Sequence, residues 1–92
     1  MAVTNTLTWN ANTEPDLKEY WVYRAIGSAV LAKVAIVPKG TQTYVDTVTA
    51  DGDYGYALTA VDVRGNESLK SVTVTKTVDQ SPPAAPTGLA IT

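Results

Sequence analysis

Along most of this chain apolar residues recur at every second position. Val3, Leu7 and Trp9 fall on one face of the opening segment, with Thr4, Thr6 and Thr8 on the other. Successive side chains of an extended strand point to opposite faces, so the alternation predicts a half-buried strand over 3–9. Tyr20 and Val22 then point one way, Trp21 and Tyr23 the other. Tyr54, Tyr56, Leu58 and Ala60 share the inner face of a long strand, and Val72 and Val74 alternate with threonines in the last one.

Turn chemistry separates these runs. Asn10 to Lys18 is a turn-rich loop in which Pro15 biases Glu14 away from helix. Pro38 to Gln42, Ala50 to Asp53, and Arg64 to Glu67 supply three further turns, the last read as a hairpin. One window resists. Ala25 to Val37 carries apolar residues at 26, 29, 30, 31, 34, 36 and 37, which also fit one face of a helix. Gly27, Ser28 and the β-branched cluster Val34, Ile36 and Val37 argue instead for strand over most of it. Short strands punctuated by turns predict an antiparallel sandwich rather than a parallel sheet.

Composition narrows the function classes. Ninety-two residues make one domain, and a chain of this size buries roughly 60–65% of its unfolded surface, enough to fold alone. With no cysteine the apolar core must carry the stability, and the compartment is left open. No apolar run is long enough to span a bilayer as a helix. Met1-Ala-Val-Thr lacks the basic start and apolar stretch of a signal peptide, so an export signal is expected on a longer parent chain. Seven basic and nine acidic residues, without a basic block, argue against nucleic acid as a partner.

Candidate chemistry is sparse. No histidine and no cysteine are present, which removes most metal ligands, triads and general bases at neutral pH. The carboxylates are Glu14, Asp16, Glu19, Asp46, Asp51, Asp53, Asp62, Glu67 and Asp79. Most fall in loops at separated ends of a solid sandwich, without the facing pair that glycoside hydrolysis requires. The expectation is therefore no catalytic residue, no metal and no cofactor. Asp51-Gly52-Asp53, and Asp62 with Asn66 and Glu67, lack the ordered spacing of a calcium loop and read as turns.

The landmarks also come in a telling order: Leu7-Thr-Trp9, Asp16-Leu17 with Tyr20-x-Val22-Tyr23-Arg24, Tyr44-Val-Asp46, Tyr54-x-Tyr56-x-Leu58-Thr-Ala60-Val-Asp62, then Gly65-Asn66-Glu67-Ser68. Over residues 3–78 this resembles a fibronectin type III domain, an all-β, immunoglobulin-like Greek-key sandwich, of the kind repeated in multidomain bacterial extracellular proteins. The resemblance implies strands B (3–9), C (19–25), C′ (30–37), E (43–47), F (54–62) and G (70–78). It implies Trp9 as the central core aromatic and Tyr54 as a tyrosine corner whose OH caps backbone at the turn into strand F. Arg64-Gly65-Asn66 stands where some relatives carry an adhesive Arg-Gly-Asp. Asn66 lacks the carboxylate, so that role is not carried over.

In the family's terms strand A is missing from the start, and Pro82 to Ile91 resembles the linker and strand A of a following repeat. The division is then 1–79 for strands B to G, and 80–92 for a Pro-rich linker and displaced strand A. Strand B would keep an open edge. Pro86, Leu89 and Ile91 are the residues expected to fill such a groove, in a neighbouring copy because the stiff linker barely reaches its own. A solvent-exposed tail is the other reading.

Trp21 and Tyr23 form the remaining candidate. If Tyr20 and Val22 face the core, these two project from the outer face beside the small residues Ala57, Thr59 and Val61. Adjacent aromatics on a flat sheet suit sugar stacking or contact with a sister domain. Ordinary packing under lysine stems is the competing account. The expected function is a non-catalytic spacer or interaction module of a larger secreted or cell-surface protein. Its partners would be adjacent domains or another copy of itself, without membrane insertion. The alternative is a carbohydrate-binding module with polysaccharide as partner. The starting methionine and shifted boundary also suit an engineered or phage-derived repeat.

Overall fold

Residues 2–91 are described by the computed structural model. Six strands follow one another: β1 (Val3–Thr8), β2 (Leu17–Ile26), β3 (Ala32–Pro38), β4 (Thr43–Val48), β5 (Gly52–Asp62) and β6 (Val74–Val78). The chain is all-β, with two sheets: β1-β4, and β3-β2-β5-β6, every named pair antiparallel. The ambiguous window resolves as the end of β2, a turn at Gly27 (φ 63°) and β3. Val34, Ile36 and Val37 therefore follow their β-branched preference rather than the helical spacing.

The alternation in the sequence is the alternation in burial. Tyr20 and Val22 are buried, as are Tyr54 and Tyr56, and these side chains fill the space between the sheets with Val48 and Val78. The other face of β5 is covered too, with Trp21 and Tyr23 of β2 cross-strand from Thr59 and Ala57, and Ala57, Thr59 and Val61 are buried. Trp9 differs from its expected place. It is half-buried, edge-on to Tyr20 with ring centroids 5.4 Å apart, and the deeply buried aromatics are Tyr20, Tyr54 and Tyr56. The reason is positional: Trp9 follows the end of β1, whose outer edge no other strand covers among the described residues.

The final strand begins at 74 rather than at 70. Two serines cause the delay. Ser68 and Ser71 each donate a backbone N–H to β5, at Ala60 and Leu58, both at 2.8 Å. Their hydroxyls accept the N–H groups of the same two residues, both at 2.9 Å. Side-chain oxygens thus take ladder positions that a partner strand's carbonyls would fill. Three residues of this segment match two of β5, so a regular register cannot form before Val74.

A polar group stitches the sheets together. Arg24 on β2 donates to Asp46 on β4 at 3.0 Å. Tyr56 on β5 donates to the same carboxylate at 2.5 Å and accepts from Asn5 on β1 at 2.9 Å. One residue from each of four strands meets here, and Asn5, Asp46 and Tyr56 are buried. Nearby, the Tyr54 OH donates to the Ala50 carbonyl at 2.7 Å, closing the β4–β5 turn. Replacing Tyr54 by Phe leaves that carbonyl without its donor and is expected to cost about 1 kcal/mol. For a domain of this size that is a fall in melting temperature of about 4–8 °C, read by calorimetry.

Candidate functional site

Two surfaces stand out, one on the outer face of the larger sheet and one at an open side of the body. On the outer face, Trp21 pairs across the sheet with Ile36 on β3 and Thr59 on β5, and Tyr23 with Lys33 and Ala57. Both rings are half-buried. Beneath them lie Ala57 and Thr59, small enough for the rings to sit close to the sheet. Their exposed faces carry cations: Lys33 Nζ stands 3.9 Å from the Trp21 ring centroid, and Lys70 Nζ 4.6 Å from that of Tyr23.

Carboxylates complete this surface. Trp21 Nε1 donates to Glu19 at 2.6 Å. The Tyr23 OH donates to Glu67, whose same oxygen accepts from Thr59 Oγ1 at 2.8 Å. The bond to Glu67 pushes the Tyr23 phenol up from its ordinary value, and the two donors hold Glu67 below the usual carboxylate range. The two rings share one face, but each is half-buried with an ammonium over it, the arrangement that packing under lysine stems describes. A cation–π contact at an exposed site is worth about 0.5–1 kcal/mol, so a ligand able to replace it faces a small barrier. Cover by lysine stems was one of the two readings of the sequence; which lysines supply it, Lys33 from β3 and Lys70 from the segment before β6, depends on the fold.

Asp62 and Asp51 are tied into turns. Asp62 accepts the backbone N–H groups of Arg64 and Asn66, both at 2.9 Å, and the Asn66 side chain at 3.0 Å, which holds its carboxyl low. Gly65, at φ 86°, takes the left-handed backbone this turn requires. Asp51 accepts from the Gln80 N–H at 2.8 Å and the Ser81 hydroxyl at 2.9 Å, tying the start of the tail to the β4–β5 turn.

The open side lies where β1 faces β6. Among the described residues β1 bonds only β4, and its outer edge carries one long contact, from Lys76 Nζ to the Thr4 carbonyl at 3.5 Å. Between the sheets there, Leu7, Trp9, Tyr56, Leu58, Val72 and Val74 line a cleft of about 160 Å³. Trp9 Nε1 and Asn5 Oδ1 are buried without a hydrogen-bond partner among the described residues. Pro86, Leu89 and Ile91, expected to fill such a groove, stand clear of the body. Leu89 is 96% exposed and Ile91 99%. The tail draws the molecule out to 75 Å, and the radius of gyration is 18.6 Å, against about 12 Å for a compact domain of this length. Comparison with protein-family models, with curated proteins and with solved structures found no match to this chain.

Proposed function

We propose that this chain is a non-catalytic spacer and interaction module, a fibronectin type III-like Greek-key sandwich working within a larger secreted or surface-attached protein. The observation that carries the reading is the pairing of a small solid body with an apolar, Pro-rich tail that stands in water. Such a tail gains by contact, and three prolines in it limit its folding back. The family part of the reading is supported by the Tyr54 cap on Ala50 and by the order of the aromatic landmarks. Secretion follows from the resemblance alone.

A spacer holds its neighbours at a fixed distance. Two copies joined in tandem, carrying a dye on each, should give one narrow distance distribution by single-molecule energy transfer. A broad distribution would overturn the spacer role.

The second reading is a sugar site at Trp21 and Tyr23, favoured by two rings sharing one face of a flat sheet. A sugar stacking there must displace Lys33 and Lys70. Titration with soluble glycans should then change the tryptophan fluorescence of the wild type but not of Trp21→Ala, with Trp9 as the common background. Equal traces from both proteins remove this reading.

A further inference from the structure

We infer that the cleft beside β1 is an acceptor for residues 86–91 of a second copy of this chain, which add a strand antiparallel to β1 and seat Leu89 and Ile91 between the sheets. This names the partner of the interaction module and rests on that reading.

The acceptor has the two features strand addition uses: an unpaired backbone edge and, behind it, pockets for alternate side chains. The edge is the outer side of β1, and the pocket is the cleft lined by Leu7, Trp9, Leu58 and Val74. A cavity of roughly 150 Å³ holds a benzene-sized apolar group, so this one has room for an aliphatic side chain. Lys76 guards the edge only through a 3.5 Å contact with the Thr4 carbonyl, a weak bond that an incoming N–H replaces.

The donor matches it. Leu89 and Ile91 are two residues apart, so in an extended segment both point to one face. Residues 82–91 carry no charge, and none has to be stripped of water on entry. Gly88 now sits at φ 76° and bends the tail. Lacking a Cβ, it straightens into a strand without steric cost.

Geometry selects a second copy over the chain's own tail. Val3 pairs with Val48, and Gly52 with Val78, so the tail leaves the body at the end where β1 begins. Its first residues are fixed there. Gln80 and Ser81 bond Asp51, and the Gln80 side chain bonds the Thr49 carbonyl at 3.0 Å. Every named strand pair of this body is antiparallel, and a strand added to β1 in the same sense must start at its far end, about 20 Å away for its six residues. From Ser81 to Pro86, where the added strand begins, the chain spans about 16 Å in polyproline form, which falls short even before crossing the cleft or reversing. A neighbouring copy has no such constraint. Two copies exchanging tails reciprocally close a dimer, and one-way donation builds an open chain.

Sedimentation of the full chain from micromolar to millimolar concentration, with amide exchange at Leu89, Ala90 and Ile91, tests the inference. Expected are species at twice the mass of one chain or larger multiples, growing with concentration, and at least tenfold slowed exchange at those amides. In a mixture of isotope-labelled and unlabelled chains, the Leu89 and Ile91 methyls should contact the Trp9 ring between chains. The double variant Leu89→Asp, Ile91→Asp should stay monomeric with the melting temperature of the dilute wild type, because both side chains are exposed in the free chain. A monomer with protected tail amides would overturn it in favour of pairing in cis. A monomer with unprotected tail amides would overturn it outright, and association surviving in the double variant would assign the contact to another surface. Each of these leaves the spacer reading to its own distance measurement.

Discussion

Replacing Asp46 by alanine should remove about 2–4 kcal/mol of folding stability, read as a lower midpoint in urea at unchanged slope. The carboxylate is the shared acceptor of Arg24 and Tyr56, which come from two different strands of the opposing sheet. Without it, the guanidinium keeps its charge beside the core, and the Tyr56 hydroxyl loses its acceptor in a buried position. Breaking a fully buried ion pair costs about 3–5 kcal/mol. The Arg24 side chain is 28% exposed, so water recovers part of that charge and the expectation is set lower. Asp46→Asn keeps one acceptor oxygen and should lose about half as much. A loss under ~0.5 kcal/mol for the alanine variant would mean that apolar packing alone fixes how the sheets meet. A double-mutant cycle with Tyr56→Phe then separates the shared bond from the rest, because the two residues act through one oxygen.

This group was passed over at the level of sequence, although the alternation carried a sign of it. Asn5 stands between Val3 and Leu7 on the inward face of β1, and Asp46 between Tyr44 and Val48 on β4. Arg24 follows Tyr20 and Val22 at the same parity. Inward-facing polar residues on separate strands need one another, since a buried polar group without a partner costs free energy. Alternation told which residues face inward but not which strands lie opposite. The strands themselves were readable because period-2 patterning and turn residues are local. The late start of β6 had a local sign as well: Ser68 and Ser71 are three apart, out of step with a two-residue repeat. At the aromatic surface, the parity of Trp21 and Tyr23 was readable. Cover by lysine stems was foreseen as one account, but not that Lys33 and Lys70 supply it, since a lysine's resting place depends on neighbours brought in from elsewhere in the chain.

Raising the pH above 10 should destabilise the protein progressively through Tyr56. Burial is the largest influence on its phenol, and the adjacent Asp46 carboxylate also disfavours a second negative charge, while the Asn5 donor works the other way. Together they push the group up from 10.0 to about 12. Below pH 10 both folded and unfolded chains hold this proton, so stability does not change on its account. Between 10 and about 12 the unfolded chain gives the proton up while the folded chain retains it. The unfolded state then binds fewer protons, and stability falls as pH rises. Two pH units correspond to about 2–3 kcal/mol, fully lost by pH 12. Tyr23, raised through its bond to Glu67, acts in the same direction from the surface. Lysines also discharge in this range, so the informative quantity is the difference between wild type and Tyr56→Phe in urea midpoints measured at pH 9, 10 and 11. The wild type should start higher, because it keeps the bonds to Asp46 and Asn5, and should lose that lead as the phenol's unfolded form ionises. Parallel slopes for the two proteins would show that the Tyr56 proton leaves as readily from the folded chain as from the unfolded one, and that the junction between the sheets is wetter than its burial implies.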